Sequence, residues 1–504
     1  MTIPKAQRET VAALQAIAGA APIETHISLV FLGADTAWKL RKAIRLPFLD
    51  FTTLDGRRRA AFREFELNAG AAPGVYRDVV PVVRREGGSL TLGGEGEIVD
   101  WVVRMARVPE ADFLEIIASA GGLSPSLLDA VADCVADYHL GLAPVAGSHP
   151  ADAMRSVALG SVRSALEAGL LEDEVRAWSD AVLQRIETCA GWLDSRGRNG
   201  FVRRAHGDLH LGNMCLWQNR PVLFDALEFD EAMATIDLGY DLGFLLMDLD
   251  LRVGRAAANR VLNRYVARTG DVSLVRGLPL FLSMRAMVRA HVEAKRGRAA
   301  LAETYFRAAR NYLLPAPTFV LAVGGLQGTG KSTLARAIAP ELGRAPGSLV
   351  LRSDEIRKRQ HHALPEQRLP AEAYSDAANR AMLEALLAGV TEAAKAGQAV
   401  IADATFIEPA DKEAIAEAAR EAGLPFLGLW LDAPLPMLES RIRSRATDAS
   451  DATVEVLHRA CHGGHDPGRW TVVDSREAAT ALEQARAAVR DRLARCNIVG
   501  QFQL

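Results

Sequence analysis

The segment HGDLHLGN, from His206 to Asn213, has the residue spacing of a kinase catalytic loop. Its aspartate, Asp208, is followed by four residues and then by Asn213, which is the D-x-x-x-x-N pattern. In that pattern the aspartate accepts the proton of the acceptor hydroxyl, and the asparagine binds a metal ion. The segment therefore predicts a phosphoryl-transfer site with Asp208 as the catalytic base and Asn213 as a metal ligand.

Three charged residues outside this loop complete the predicted site. Asp225 ends the short strand PVLFD and is predicted to bind the metal ion. Lys39 lies on the strand AWKL and Glu64 lies on the next helix, so an ion pair between them would hold the lysine over the ATP phosphates. Glu66 lies on another face of the same helix and is the alternative partner for Lys39.

Other polar residues near the loop have less specific roles. We expect His206 and His210 to hold the loop by packing and hydrogen bonding. Asp237 and Asp241, four apart on a predicted helix, either brace the loop or form a solvated face. Three acidic residues that follow Asp225 either receive a cationic acceptor or cap a loop: Glu228, Asp230 and Glu231.

A second phosphate-binding motif, GLQGTGKS, runs from Gly325 to Ser332 and satisfies G-x-x-x-x-G-K-[ST]. The strand FVLAV precedes it and the helix TLARAIA follows it, as the motif requires. The glycines let backbone N–H groups approach the phosphates, while Lys331 reaches the β- and γ-phosphates for catalysis and Ser332 binds Mg²⁺. The predicted nucleotide-binding residues are Gly325, Gly328, Thr329, Gly330, Lys331, Ser332 and Thr333.

Four further residues are candidates for roles at this second site. Asp403 ends the strand AVIAD and fits a Walker-B-type metal ligand. Asp354 ends a strand and begins a helix, where it would be the base for the acceptor or simply the helix N-cap. Arg441 and Arg445, four apart, would supply lid arginines to the transition-state charge or form a solvated basic face.

These motifs resemble two known families. HGDLHLGN with LFDALEFD resembles the aminoglycoside phosphotransferase and choline kinase branch of the protein-kinase-like fold, over residues 27–314. That resemblance implies two lobes with adenine bound at the hinge near Met105. Residues 318–490 resemble the small P-loop kinases, which include zeta toxins, gluconate kinase and polynucleotide 5′-kinase, through RSDEIRK and DATF. The whole chain resembles bacterial fusions of these two domain types.

Hydrophobic patterning divides the chain into three predicted domains. Residues 1–108 contain apolar runs typical of a small sheet with one helix, and residues 109–314 show mainly helical spacing. The segment LLPAPT carries two prolines, which resist helix continuation, so we place a boundary there. In residues 318–504 apolar strands alternate with Ala-rich helices. We therefore expect a two-lobed α+β kinase-like domain followed by an α/β P-loop domain with a parallel sheet.

Composition is that of an ordinary globular protein. The 504 residues are 49% hydrophobic and 24% charged with a formal net charge of −3, so no global basic field draws the chain onto nucleic acid or a membrane. Five scattered cysteines indicate a reducing compartment. We expect a cytoplasmic protein without a secretory or membrane-spanning segment.

Two phosphate sites in one chain predict a bifunctional kinase. Each site would use ATP and Mg²⁺ to phosphorylate a hydroxyl of a small molecule. Two alternatives stay open for the P-loop half. It would be a polynucleotide or nucleotide-sugar kinase, for which the basic run IRKRQHH offers local charge, or a nucleotide-sensing switch that gates the first half.

Overall fold

The computed structural model describes residues 3–46, 49–444, 449–462 and 466–496. The chain forms two compact units. One consists of residues 1–130, 137–150 and 193–245, and the other of residues 131–136, 151–192 and 246–504. The catalytic-loop motif therefore belongs to the first unit and the P-loop motif to the second. Within the described part of the chain, every helix is too short or too polar to span a membrane.

The amino-terminal region is a six-stranded antiparallel sheet with two helices. Its elements are α1 (Arg8–Ala18), β1 (Ile23–Glu24), β2 (Ser28–Leu32), β3 (Thr36–Arg41), β4 (Arg45–Leu46), β5 (Leu49–Asp50), α2 (Leu54–Asn68), β6 (Tyr76–Arg84), β7 (Leu90–Leu92) and β8 (Glu97–Ala106). The strand order is β1-β2-β3-β8-β6-β7, and β4 pairs separately with β5. Leu29 and Phe31 of β2 alternate toward the core and pack with Leu14 of α1, which fixes one face of the sheet.

The next region is mainly helical and is interrupted by short hairpins. Its elements are α3 (Leu114–Ser119), α4 (Pro125–Gly141), α5 (Pro150–Glu167), α6 (Glu172–Arg198), β9 (Val202–Arg204), β10 (Met214–Trp217), β11 (Arg220–Leu223), α7 (Glu231–Ala234), β12 (Thr235–Asp237), α8 (Leu238–Arg252), α9 (Arg255–Thr269), α10 (Leu278–Lys295) and α11 (Ala299–Asn311). β10 pairs with β11, and β12 pairs with β9. The predicted catalytic loop lies between β9 and β10, so a strand on each side fixes its ends.

The carboxy-terminal region alternates strands and helices as predicted. Its elements are β13 (Val320–Gly325), α12 (Lys331–Ile338), β14 (Leu349–Arg352), α13 (Ser353–Gln360), α14 (Asp376–Lys395), β15 (Val400–Asp403), α15 (Pro409–Glu421), β16 (Phe426–Asp432), α16 (Leu435–Arg443), α17 (Val454–His462), β17 (Thr471–Asp474) and α18 (Ala478–Arg495). All five strands are parallel, in the order β14-β15-β13-β16-β17.

The parallel sheet is buried on both faces, which explains its continuous apolar runs. Leu321 and Val323 of β13 pack with Ile401 of β15 and Leu429 of β16 in one core cluster. Because β13 is the central strand, its carboxyl end opens at the edge where ligands bind in such sheets. The fold class predicted from the sequence, a kinase-like α+β region followed by a P-loop domain with a parallel sheet, is confirmed.

Candidate active sites

Lys39 is the cation at the centre of the first site. It lies on β3, is 9% exposed, and its Nζ is 2.7 Å from Glu64 Oε1 and 2.5 Å from Asp225 Oδ1. Burial opposes the positive charge, but Asp225 and Glu64 outweigh it and raise the pKa of Lys39. The alternative partner, Glu66, is exposed and binds Arg63 at 2.7 Å. Lys39 is therefore charged and held by Glu64 and Asp225.

Asp225 follows β11 in a left-handed backbone conformation, with φ of 61°. Its N–H donates to Tyr76 Oη at 3.2 Å, and the next N–H, of Ala226, donates to Asn68 Oδ1 at 2.9 Å. Burial opposes ionisation, but Lys39 and Arg41 outweigh it and lower the pKa of Asp225. The carboxylate is thus ionised, as a metal ligand must be.

The two residues of the loop that are predicted to act in catalysis and metal binding, Asp208 and Asn213, contact each other. Asn213 Nδ2 donates to the backbone oxygen of Asp208 at 2.9 Å and to its Oδ2 at 3.0 Å. Asn213 is the last residue of a short 3₁₀ turn, Leu211–Asn213, which brings the two ends of the motif together. The D-x-x-x-x-N spacing therefore places the carboxylate of Asp208 beside the amide group of Asn213.

Both histidines of the loop make local hydrogen bonds, as predicted. His206 Nδ1 accepts from the N–H of Asp208 at 3.3 Å, and its Nε2 lies 3.0 Å from the carbonyl oxygen of Phe224. Burial lowers the pKa of His206, so the neutral ring that these bonds require is favoured. The side chain of His210 accepts from the N–H of Gly212 at 3.0 Å.

Asp241 braces the loop, and Asp237 does not. The carboxylate of Asp241 accepts from the N–H groups of His206 and Gly207 at 3.0 and 2.9 Å. Asp237 ends β12 and accepts instead from Arg196 at 2.6 and 2.9 Å. The predicted brace is confirmed for Asp241, and for Asp237 it is wrong because that residue ends a strand.

Met105 lies next to the end of β8, opposite Ala37 of β3 and Tyr76 of β6. Its side chain is half-buried and packs on the cluster that contains Val103. The N–H of the following residue, Ala106, already donates to a carbonyl oxygen within the sheet region. Contact between Met105 and adenine stays a prediction.

The three acidic residues that follow Asp225 each form a hydrogen bond or an ion pair with another group of the protein. Asp230 accepts from the N–H of Met233 and caps α7, while Glu231 pairs with Arg63 at 2.9 Å and with Arg204 at 3.0 Å. Glu228 is 8% exposed and forms an ion pair with Arg41. Of the two roles that the sequence left open, this geometry favours structural ones.

The second site is the loop between β13 and α12. Gly325 and Gly328 have φ of 137° and 84°, and a Cβ on Gly328 would lie 2.8 Å from the carbonyl oxygen of Leu438. Glycine is therefore required at that position. Thr329 is buried and donates to Leu326 O at 2.8 Å, and Gly330 directly precedes α12. This arrangement turns the start of α12 toward the loop.

Three of the predicted nucleotide-binding residues belong to the first turn of α12: Lys331, Ser332 and Thr333. Lys331 Nζ donates to the carbonyl oxygens of Gly325 and Leu326, each at 2.9 Å. The lysine therefore lies across the loop whose N–H groups would surround phosphate oxygens.

Asp403 lies beside the loop at the end of β15, opposite Val323 of β13. It is 4% exposed, and Arg352 Nε lies 3.3 Å from its Oδ2. Arg352, which the sequence reasoning missed, is also bound to Glu355 at 2.8 Å. A buried arginine beside a metal-type carboxylate compensates its charge.

Asp354 is in the first turn of α13 and is not its N-cap. The N-cap position is Arg352, and no side-chain cap hydrogen bond forms there, so the N-cap alternative is wrong. Asp354 has a side-chain hydrogen bond with Ser450. Burial raises the pKa of Asp354 although Arg352 opposes the shift, which makes this carboxylate a stronger base.

Arg441 contacts the P-loop. Its NH1 donates to Gly328 O at 3.4 Å, and its NH2 donates to the carbonyl oxygens of Ser475 and Arg476 at 2.9 and 2.7 Å. A solvated basic face does not describe this side chain. Arg445, the other predicted lid arginine, lies outside the described residues.

A buried ion pair near Asp354, between Lys358 and Asp451, was also not predicted from the sequence. Lys358 is 1% exposed, and its Nζ lies 2.8 and 2.9 Å from the two carboxylate oxygens of Asp451. Tyr374 Oη and the N–H of Leu369 donate to the same carboxylate at 2.7 and 3.0 Å. Four donor contacts thus fix the segment that carries Ser450 and Asp451. Lys358 is four residues after Asp354, which puts both on one face of α13.

Comparison with known proteins finds one family model and two proteins that are similar to this chain. Residues 320–462 match the AAA_33 family, described as an AAA domain. Over 123 residues the chain is 33% identical to adenylyl-sulfate kinase of Myxococcus xanthus, covering 24% of this chain and 62% of that protein. Over 449 residues it is 28% identical to an uncharacterized protein of Mycobacterium tuberculosis, covering 86% of this chain and 88% of that protein.

Two solved structures are similar to the chain at low identity. A glucosamine kinase is 17% identical, with 60% of this chain and 80% of that chain covered and a TM-score of 0.37. A sugar kinase from Janibacter sp. HTCC2649 is 21% identical, with 34% and 95% covered and a TM-score of 0.28. The family match falls on the region that contains the P-loop motif and the parallel sheet, as the sequence predicts.

Proposed function

We propose that the chain is a bifunctional phosphotransferase with two ATP-dependent sites. Each site transfers the γ-phosphate of ATP to a hydroxyl of a small molecule such as a sugar, an amino sugar or a related metabolite. The observation that carries the proposal is the meeting of Lys39, Glu64 and Asp225 in the same compact unit as the Asp208–Asn213 pair. Buried ionised groups with shifted pKa values cluster at functional sites, which supports the proposal.

At the first site, the acceptor hydroxyl gives its proton to Asp208 while Lys39 holds the phosphates. Asn213 and Asp225 present an amide oxygen and an ionised carboxylate, the donor types that Mg²⁺ prefers. Magnesium, when bound, would neutralise charge on the phosphates. Glu64 keeps the Lys39 ammonium in place, and Met105 is the proposed neighbour of the adenine.

At the second site, the backbone of the P-loop and Lys331 hold the phosphates, and Ser332 and Asp403 supply oxygen donors for Mg²⁺. Asp354 takes the acceptor proton, which its raised pKa favours. Arg441, bound to Gly328 O, lies where a guanidinium can stabilise charge on the phosphates. Arg445 is proposed for the same role from its spacing alone.

The basic run near Asp354 favours a small acceptor over an oligonucleotide. Arg357 donates to Ala373 O and, at 2.8 Å, to Asn379 Oδ1, and Lys358 is bound to Asp451. Both cations are buried. A groove for a polynucleotide needs cations exposed to the phosphate backbone, and these two are held inside the protein.

The test is ATP turnover with a panel of acceptors: gluconate, glucosamine, adenylyl sulfate, nucleosides and a 5′-hydroxyl oligonucleotide. Each acceptor is assayed with the wild type and with Asp208→Ala and Lys331→Ala, and with the exposed-site control Lys395→Ala. We expect each of the two variants to lose turnover with a different acceptor, and the control to keep both activities. If no acceptor raises turnover and only Lys331→Ala abolishes a basal ATPase, the bifunctional proposal is wrong and the nucleotide switch replaces it.

A further inference from the structure

A second buried cation lies beside Lys39. Arg41 is two residues further along β3, so both side chains leave the same face of the strand. Arg41 is 2% exposed, and its NH1 donates to Ser28 Oγ at 2.8 Å. Its NH2 is 2.5 Å from Glu64 Oε2. Glu64 is therefore held through both oxygens, by Lys39 on Oε1 and by Arg41 on Oε2.

Arg41 also reaches the segment that follows Asp225. Its NH2 forms an ion pair with Oε1 of Glu228, whose side chain is only 4% exposed. Because Glu228 is three residues after Asp225, this ion pair ties the strand that carries Lys39 to the segment that carries Asp225. One guanidinium thus joins β3, α2 and the loop after β11.

The ionic group leaves Arg41 fully charged. Burial opposes its charge, but Glu228 and Glu64 outweigh the burial and raise the pKa of Arg41. The group contains two cations, Lys39 and Arg41, and the three carboxyl groups that they contact, which belong to Glu64, Asp225 and Glu228. Removal of one member of such a buried group leaves the others without compensation. Within this group Lys39 contacts the proposed metal ligand Asp225, whereas Arg41 contacts Glu64 and Glu228.

Lys39 cannot do everything that the first site needs. Its ammonium is shared by Glu64 and Asp225, and at the proposed site it also serves the phosphates of ATP. Glu64 keeps a cationic partner through Arg41 whichever of these groups Lys39 binds. We propose that Arg41 is a positioning residue of the first site, which holds Glu64 and the Asp225–Glu228 segment in the arrangement that binds ATP and its metal ion. This inference rests on the proposed function of that site.

The experiment measures binding of the fluorescent nucleotide mant-ATP to the full chain carrying Lys331→Ala, which removes the P-loop lysine. In this parent we compare Arg41→Met, Arg41→Lys and Glu228→Gln, with Arg84→Met as the control from an exposed arginine of the same sheet. The dissociation constant is measured with Mg²⁺ and with EDTA. Circular dichroism at the same temperature confirms that each variant is folded.

We expect Arg41→Met to reduce the Mg²⁺-dependent gain in affinity by about tenfold or more, because the loss acts through the Asp225 segment. Arg41→Lys should lose less, since an ammonium keeps the charge but does not keep the separate donor that the guanidinium places on Ser28. Glu228→Gln should also reduce the Mg²⁺-dependent gain in affinity, although Glu64 keeps its contacts with Lys39 and Arg41. A merely structural role would lower the folded fraction and leave the ratio of the two dissociation constants unchanged.

Two results would overturn the inference, and they are distinguishable. If Lys39→Met weakens binding in the parent while Arg41→Met and Glu228→Gln keep the parental ratio, the first site binds ATP but Arg41 does not position it. If the parent does not bind mant-ATP, or Lys39→Met has no effect, the proposed function of the first site fails together with the inference. Should Arg41→Met not fold, Glu228→Gln and Arg41→Lys decide the question.

Discussion

Replacing Lys358 by methionine should lower the free energy of local unfolding of α13, the helix that carries Asp354, by about 3 kcal/mol. The ammonium is 1% exposed and is bound by Asp451, so its removal leaves a carboxylate whose side chain is only 12% exposed. Breaking a buried pair in this way costs about 3–5 kcal/mol. We take the lower end because Tyr374 and the N–H of Leu369 still donate to Asp451. Lysine and methionine have similar helix propensities, so α13 itself is not weakened.

Native-state hydrogen exchange of the amides of α13 reports the local opening free energy. A loss of about 3 kcal/mol accelerates that exchange by about a hundredfold. The double variant Lys358→Met/Asp451→Asn should be less destabilised than the sum of the two single variants, because no charge is left unpaired. Arg443→Met, which breaks an exposed pair with Glu439, should change exchange by less than threefold, or about 0.5 kcal/mol.

The same pair predicts a pH dependence with a defined sign. Burial opposes ionisation of Asp451, but hydrogen bonds from Lys358 and Tyr374 outweigh it and lower its pKa. The difference between wild type and Lys358→Met is therefore complete above the ordinary aspartate pKa of about 3.9 and disappears as the pH falls through the lowered value. Two results would contradict this prediction: hydrogen exchange in α13 that is unchanged in Lys358→Met at pH 7, or losses of stability in the two single variants that sum to the loss in the double variant. Either would mean that Lys358 does not stabilise the Asp451 carboxylate.

Three further predictions concern single side chains. Glu64→Gln should weaken mant-ATP binding at the first site by about tenfold, and Glu66→Gln should leave the dissociation constant unchanged, because Glu64 binds Lys39 whereas the exposed Glu66 binds Arg63. Asn263→Ala removes the oxygen that accepts the N–H of Val350 at 2.6 Å. The free energy of unfolding should therefore fall by about 1–3 kcal/mol, as measured by hydrogen exchange of the β14 amides in increasing urea. Turnover at the P-loop site should fall as the pH drops through the raised pKa of Asp354, and Asp354→Asn should abolish turnover over the whole pH range.

The sequence predicted local arrangements well because their geometry depends on spacing. Asp208 and Asn213 are five residues apart and touch, and the P-loop glycines have the left-handed backbone that their motif demands. Apolar runs identified the strands of the parallel sheet, since a strand buried on both faces has no polar alternation. β17 was not predicted, because its four residues TVVD form an edge strand with two exposed positions.

Long-range ion pairs were not predictable in the same way. Arg41 meets Glu228 and Lys358 meets Asp451 across large sequence separations, and only tertiary packing decides such partners. In the sequence, Lys358 is part of the basic run IRKRQHH, which offers local positive charge for a polynucleotide. The available signal was position: charged residues are seldom fully buried without a partner, and Arg41 continues the buried strand AWKL.

Helix α9 precedes the proline-containing segment at residues 313–318, but it packs on the edge of the P-loop sheet that follows this segment. β14 is an edge strand of the parallel sheet, and its outer N–H and C=O groups would be open to pairing with another chain. Asn263 accepts the N–H of Val350, and Asn259 donates to the carbonyl oxygen of Ser348 at 3.0 Å. Two amide side chains of α9 thus take the place of a further strand. The edge of the P-loop sheet is therefore covered by a helix that precedes the prolines, and α9 belongs to the same compact unit as the P-loop.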